Sequence, residues 1–193
     1  MATPDFILEL RKHIGTTPLW LSGSTAGIHR FAADGTPEWL LVRRADTGAW
    51  SVVTGIIDPG EHPAEAAARE AVEEAGVVVE VERLVWQDVT AMVTYDNGDQ
   101  TQYINHTFRC RWVSGEPHPA DGENTEAAFF RADALPPMEE QHARAMGVLI
   151  ADAPECGLGP LPPARALSAA GVRGTARRTV RRGPVRPASA SRG

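Results

Sequence analysis

The sequence predicts an α/β fold in which a mixed β-sheet is sandwiched between α-helices (α/β/α). Two stretches of the first 155 residues space their apolar side chains at helical intervals, and a third begins at Pro63 and ends at Gly76 with helix start and stop signals. The runs between them are rich in β-branched residues or alternate as strands do. The resulting order is helix, strands, helix, strands, helix, which favours helices packed against a sheet. With 193 residues, 42% of them hydrophobic, the chain provides for one domain of ordinary size and a tail.

The first elements are a short helix and a hairpin. The stretch DFILELRKHIG spaces four apolar residues at helical intervals and ends at Gly15, a helix stop signal. Two strand-like runs then flank a loop that contains Asp34, Gly35 and Pro37. We therefore expect an N-terminal helix followed by two antiparallel strands.

The remaining elements are a central helix, a second hairpin and a last helix. The central helix is predicted over residues 63–75. Residues 77–95 are dense in β-branched side chains and residues 101–113 alternate in polarity, with the hairpin signal Asn-Gly at 97–98 between them. Residues 138–153 have the Ala, Met and Leu spacing of a helix.

The charge of the chain is unevenly distributed, although the net charge is −6. All 25 acidic residues and 11 of the 19 basic ones lie at or before Glu155, so this part carries −14, whereas the following segment holds 8 Arg and no acid. That segment has too few large apolar residues to offset the entropy of ordering it. We expect an N-terminal helical extension over 1–19, a folded domain over 20–152 and a disordered Arg/Pro/Ala-rich tail over 153–193. Basic tails often contact nucleic acid or acidic partners, and this alternative to an inert tail stays open.

The cysteine content and the N-terminal residues indicate a cytoplasmic protein. Cys110 and Cys156 are too few for a disulfide framework and have no metal-ligand spacing. Asp5 and Glu9 stand where a signal peptide needs basic and apolar residues, and no run approaches eighteen apolar residues. We therefore expect no membrane contact.

The central helix carries a row of carboxylates. Glu70, Glu73 and Glu74 stand at i, i+3 and i+4, which places them on one face, and Glu61 lies in the loop before the helix. Repulsion on such a face costs about 0.2 to 0.5 kcal/mol per pair, which a solvated surface tolerates. The spacing alone leaves a wet surface and a metal site as alternatives.

The surrounding residues resemble a known signature. Gly55, Glu61 and the run REAVEEAGV from Arg69 to Val77 resemble the Nudix box of the Nudix hydrolases, with all seven fixed positions present. The resemblance covers roughly residues 20 to 152 and implies the Nudix fold. It departs from the pattern at Ala71, where a bulkier aliphatic residue is usual, and at 53–54, where many members have Pro-Gly.

The resemblance implies a metal-dependent hydrolase that cleaves the P-O-P bond of a nucleoside diphosphate linked to another group. Nucleotide sugars, dinucleotides and (d)NTPs are the substrate types in view. Clustered carboxylates without His or Cys partners suit Mg²⁺ or Mn²⁺. A nucleotide-sensing module without catalysis is the alternative, although such a module would be expected to lose box carboxylates. Nucleic acid is not the expected partner, because a folded part of charge −14 repels phosphate. A homodimer is compatible with the resemblance.

The box match also implies roles for individual residues. Glu70 and Glu74 are expected as metal ligands, and Glu73 as a catalytic carboxylate through a further or water-mediated metal contact. Arg69 is expected to support the site by pairing with Glu61 or Glu73 through a forked hydrogen bond. Glu61 is then either a metal contact or a support for the loop.

The general base and the substrate contacts lie outside or at the edge of the box. The segment DGENTEAAFF resembles the part of the family in which an acidic residue precedes an aromatic pair, so Glu123 is the candidate base and Glu126 its rival. Both residues are loop surface charges in the alternative interpretation. Arg43, Arg44 and Gly55 are the expected substrate contacts, and strand alternation turns only one of the two arginines inward.

Overall fold

The computed structural model describes residues 3–160, and within them the chain forms three helices and nine strands. The helices are α1 (Asp5–Ile14), α2 (Pro63–Ala75) and α3 (Glu140–Ala151). The strands are β1 (Leu19–Phe31), β2 (Pro37–Arg44), β3 (Trp50–Ser51), β4 (Val53–Ile56), β5 (Val78–Val89), β6 (Val93–Thr94), β7 (Gln100–Ser114), β8 (Asn124–Arg131) and β9 (Gly157–Leu158).

The strands form one mixed sheet. Its main path runs β3-β2-β1-β7-β5-β9, with β4 paired to β1, β6 to β7 and β8 to β2. The pairs β1·β7 and β5·β9 are parallel, and the other ladders are antiparallel. The predicted mixed sheet is therefore confirmed.

Helices cover the two faces of this sheet, as predicted. Alternate residues of β2 point to opposite faces: Leu40 and Val42 join the cluster that includes the alanines of α2, and Trp39 and Leu41 join the cluster of α3. Helix α3 approaches β1 so closely that a Cβ at Gly27 would lie 2.3 Å from both Cδ atoms of Leu149.

Helix α2 has the predicted bounds because its ends are determined by local signals. Pro63 occupies the first helical position, and Glu65 accepts the backbone N–H of His62 at 3.4 Å. Gly76 ends the helix in the left-handed conformation, with φ of +65°, and its N–H bonds to the carbonyls of Ala71 and Val72.

Both predicted hairpins are present. Gly35 takes a φ of +79° in the first turn, and Gly98 takes +84° in the second. Two differences are seen: residues 90–92 divide the run predicted over 77–95 into β5 and β6, and Pro37, which was expected in the loop, instead opens β2. A strand start suits proline, because its missing N–H costs least at the end of a ladder.

The two ends of the described chain are held against the sheet. In α1, Arg11 donates to the carbonyl of Gln100 at 2.8 Å and pairs with Asp99 at 3.4 Å. The predicted tail begins at residue 153, yet Gly157–Leu158 form β9 beside β5. The rest of the predicted tail, residues 161–193, lies outside the described residues. None of the described helices combines the length and apolar character needed to cross a membrane.

Candidate active site

The three carboxylates of α2 differ in how far they are buried. Glu70 and Glu74, one turn apart, lie on the buried face of the helix, and they are only 1% and 5% exposed. The side chain of Glu73 points further toward the solvent and is 50% exposed. Two of the three predicted carboxylates are therefore buried, which rules out a wet surface for them.

Glycine at position 55 makes the burial of Glu70 possible. Gly55 lies in β4 opposite Ser24 of β1. A Cβ at position 55 would stand 1.8 Å from Glu70 Oε1 and 1.9 Å from its Cδ. Gly55, predicted as a substrate contact, therefore provides the space into which the Glu70 carboxylate packs.

Arg69 connects the loop, the helix and the strand. Its Nε and Nη2 donate to the two carboxylate oxygens of Glu61 at 2.8 and 2.9 Å. Its Nη1 donates to Glu70 at 2.7 Å and to Glu73 at 2.9 Å, and Nη2 also reaches the carbonyl of Ile56 at 3.1 Å. The sequence left Glu61 and Glu73 as alternative partners, and Arg69 binds both.

Glu61 closes the loop that precedes α2. Its carboxylate accepts the backbone N–H of Asp58 at 3.1 Å, and its own N–H donates to the carbonyl of Asp58 at 3.0 Å. The hydrogen bonds from Arg69 hold the pKa of Glu61 below its ordinary value, so the carboxylate is ionised. Glu61 was predicted either to contact a metal or to support the loop, and these contacts agree with the support role.

Burial changes the ionisation of the two inner carboxylates. It raises the pKa of Glu70 to about 7, although the nearby Arg69 counteracts this rise. It raises the pKa of Glu74 to about 8, and the negative charges of Glu70 and Asp121 add to the rise. Among the described residues, the positive charge of Arg44 counteracts the rise at Glu74.

The two arginines at the end of β2, Arg43 and Arg44, bind different partners. Arg43 donates to the carbonyl of Gly48 at 3.0 Å and to Glu126 of β8 at 2.7 Å. Both members of this ion pair are about half exposed. Arg43 and Glu126, predicted as a substrate contact and the rival base, are therefore engaged with each other.

Arg44 is the arginine whose charge interacts with a carboxylate of α2. It forms a fork onto Asp46, with distances of 2.9 and 2.5 Å. This pair is the main cause of the raised pKa of Arg44, and the charges of Glu74 and Glu139 also contribute. The charge of Arg44 thus acts on the box carboxylate Glu74.

The candidate base Glu123 precedes β8. Its backbone N–H donates to Asp121 Oδ1 at 2.9 Å, and its carbonyl accepts the N–H of Ala45 at 2.8 Å. The residue is half-buried. These bonds tie Glu123 to the loop that follows Arg44, whereas Glu126 lies further along the strand.

The comparison with protein families agrees with this geometry. The family model described as the NUDIX domain matches residues 22–152. The chain belongs to the Nudix family. The helix α2 with its loop is thus the Nudix box of this domain, and the predicted family and fold are confirmed.

The chain is similar to two characterised proteins and to one solved structure, among others. A MutT-like protein from Streptomyces ambofaciens is 31% identical over 147 residues, which cover 75% of this chain and 84% of that protein. The NAD-capped RNA hydrolase NudC of Pseudomonas aeruginosa is 29% identical over 132 residues, which cover 61% of this chain and 43% of NudC. The crystal structure of an ADP-ribose pyrophosphatase from Streptococcus suis has a TM-score of 0.51 at 25% identity, covering 72% of this chain and 97% of that chain.

The donor set of the Nudix box fits a hard divalent cation. Glu70 and Glu74 are buried carboxylates, and oxygen ligands of this kind suit Mg²⁺ or Mn²⁺. Within residues 3–160 no three Asp, Glu, His or Cys side chains stand in a metal-binding arrangement. Arg69 instead draws three of the box carboxylates toward itself. The feature that fits a cation best is the pair Glu70 and Glu74, because a bound cation would offset the cost of ionising two buried carboxylates.

One charged residue near the Nudix box was missed from the sequence. Asp121 lies close enough to Glu74 to raise its pKa. The available signal was its place two residues before Glu123 in the segment DGENTEAAFF. Nothing in the sequence shows that this loop docks on the end of α2.

Proposed function

We propose that this Nudix domain is a Mg²⁺- or Mn²⁺-dependent pyrophosphohydrolase that cleaves the P-O-P bond of a nucleoside diphosphate linked to another group. The observation that carries the proposal is the pair of buried carboxylates on one face of the box helix, Glu70 and Glu74, whose pKa values burial raises to about 7 and about 8. Holding two neighbouring carboxylates out of water is costly when they are ionised, so the arrangement fits a cation-binding role. The family match adds independent support.

Each box carboxylate has a distinct part in this proposal. Glu70 and Glu74 would hold the cation, and the half-exposed Glu73 would contact it directly or through water. A bound divalent cation would neutralise phosphate charge and lower the pKa of a water molecule. Glu61 and Arg69 keep the loop against the helix, because their forked pair joins the two segments.

The proposed substrate contact is Arg44, because its charge lies on the side of Glu74. A guanidinium there can bind phosphate oxygens through two parallel hydrogen bonds once it exchanges Asp46 for the substrate. Arg43 is the weaker candidate, since it is engaged with Glu126 on the other side of the strand.

Glu123 is the proposed general base. It is half-buried, and its backbone is bonded to Asp121, whose charge acts on Glu74, and to Ala45, which follows Arg44 in the chain. Its carboxylate would accept the proton of the attacking water. Glu126 is the weaker candidate, because its carboxylate is paired with Arg43.

Among substrates, ADP-ribose and NADH come first, because the relatives include an ADP-ribose pyrophosphatase and a NAD-capped RNA hydrolase. Phosphate-bond cleavage should be screened with these compounds, dinucleoside polyphosphates and (d)NTPs in Mg²⁺ or Mn²⁺. The Glu74→Gln variant should lose turnover. The control Glu140→Gln, which alters an exposed pair with Arg144 on α3, should retain it. Absence of turnover by the wild type, or equal rates in both variants, would contradict the proposal.

A cytoplasmic location and a homodimer stay predictions. The first agrees with the thiols of Cys110 and Cys156, which are both free. The oligomeric state is to be measured by sedimentation of the full-length protein.

A further inference from the structure

The C-terminal end of the box helix is covered by the segment Gly115–Asp121, here called the cap segment. The last carbonyls of a helix have no partner inside it. In this domain His118 N–H donates to the carbonyl of Ala75 at 3.1 Å, and Ala120 N–H donates to that of Glu74 at 3.4 Å. The cap segment is therefore bonded to the backbone of the residue that carries the inner carboxylate.

Two close approaches fix the position of the cap segment. A Cβ at Gly76 would lie 2.1 Å from Cε1 of His118 and 2.5 Å from its Nδ1, so the imidazole rests directly on the helix end. A Cβ at Gly115 would lie 2.5 Å from the carbonyl oxygen of Gly76. The ring is held in turn, since its Nδ1 bonds to the carbonyl of Glu116 at 2.9 Å.

The cap segment delivers one charge to the site. Asp121 follows directly after the N–H that bonds to Glu74, and its negative charge acts on the Glu74 carboxylate. The side chain of Asp121 also accepts the backbone N–H of Glu123 at 2.9 Å. The cap segment, which ends at Asp121, thus connects the box helix with the candidate base Glu123.

We propose that the cap segment is a positioning element of the cation site: His118 orients Glu74 through the end of α2, and Asp121 adds negative charge beside it. This rests on the proposed function, in which Glu74 holds a divalent cation. Asp121 strengthens cation binding because a further negative charge near Glu70 and Glu74 increases the attraction for the ion. The ring of His118 acts by steric packing, so another flat ring can replace it.

Asp121 is tested by Mn²⁺ titration calorimetry on the full-length protein, under conditions where circular dichroism shows it folded. Asp121→Asn should bind Mn²⁺ about 10-fold more weakly, the size typical of residues that support metal ligands. Glu116→Gln removes the same unit of charge from an exposed position in the cap segment and should bind as the wild type does. Equal affinities of these two variants overturn the role of Asp121.

His118 is tested by the same titration. His118→Ala should bind Mn²⁺ more weakly, with a raised Mn²⁺ requirement for activity but an unchanged kcat at saturating Mn²⁺. His118→Phe, which keeps a ring over Gly76, should recover most of the affinity. Wild-type affinity in His118→Ala overturns the positioning role, and so does a failure of His118→Phe to recover it. A wild type that binds no Mn²⁺ instead removes the proposed function itself.

Discussion

Gly55 lies directly beneath the carboxylate of Glu70, with the position of a Cβ only 1.8 Å from Oε1. Gly55→Ala should therefore displace the carboxylate or strain the strand, and should lower the free energy of unfolding by about 1–3 kcal/mol, as overpacking does. Mn²⁺ binding should weaken at the same time. Urea unfolding and calorimetry measure the two effects.

Gly147→Ala is the matched control for this substitution. Gly147 lies within α3 and a Cβ there meets no atom within 4 Å. The exchange should raise the free energy of unfolding by about 0.5–1 kcal/mol, because glycine weakens a helix interior. Unchanged Mn²⁺ affinity in Gly55→Ala would contradict the packing role of Gly55.

Arg69→Lys should lower activity by about 10- to 100-fold, the range found when the support of a metal ligand is removed. Lysine keeps the charge but cannot form the fork onto Glu61 while it also donates to Glu70 and Glu73. Steady-state kinetics on the substrate found in the screen measure the loss. Arg144→Lys, which alters a helix arginine paired with Glu140, should leave the rate unchanged.

Glu123→Gln should lower kcat by about 100- to 10,000-fold, as loss of a general base does, with unchanged Mn²⁺ affinity. Glu126→Gln should have no effect on the rate, since it breaks only an exposed ion pair with Arg43. Kinetics at saturating Mn²⁺ compare the two variants. A full rate in Glu123→Gln would remove this residue as the base.

Cys110 should resist thiol reagents in the folded protein, while the partly exposed Cys156 reacts. Burial raises the pKa of Cys110 from 9.0 to about 12, and only the thiolate reacts. Because the fold favours the neutral thiol, its contribution to stability is complete below pH 9 and is lost as the pH rises toward 12. Alkylation followed by mass spectrometry tests the reactivity.

The stability of Cys110→Ala should lack this alkaline decline. Urea unfolding below and above pH 9 gives the free energy of unfolding of the variant and of the wild type for this comparison. A parallel decline in both proteins would show that other groups cause it. The mechanism is the higher proton affinity of the folded state.

Local features of the box helix were read correctly from the sequence. The bounds Pro63–Ala75 follow from a proline at the first position and a glycine at the end, and both act within one turn. The turn at 97–98 and the spacing of Glu70 and Glu74 are equally local. The fold class followed because the order of elements and their periodicity constrain which layers can form.

The sequence by itself thus determined the family, the box helix and the identity of the carboxylates, because these depend on neighbouring positions along the chain. Only the tertiary structure decided that Glu70 and Glu74 are buried while Glu73 is half exposed. It also decided that Arg44 and Asp121 lie close enough to Glu74 for their charges to act on its carboxylate. The physical reason is that burial, strand register and charge proximity arise between segments far apart in sequence, which no local pattern records.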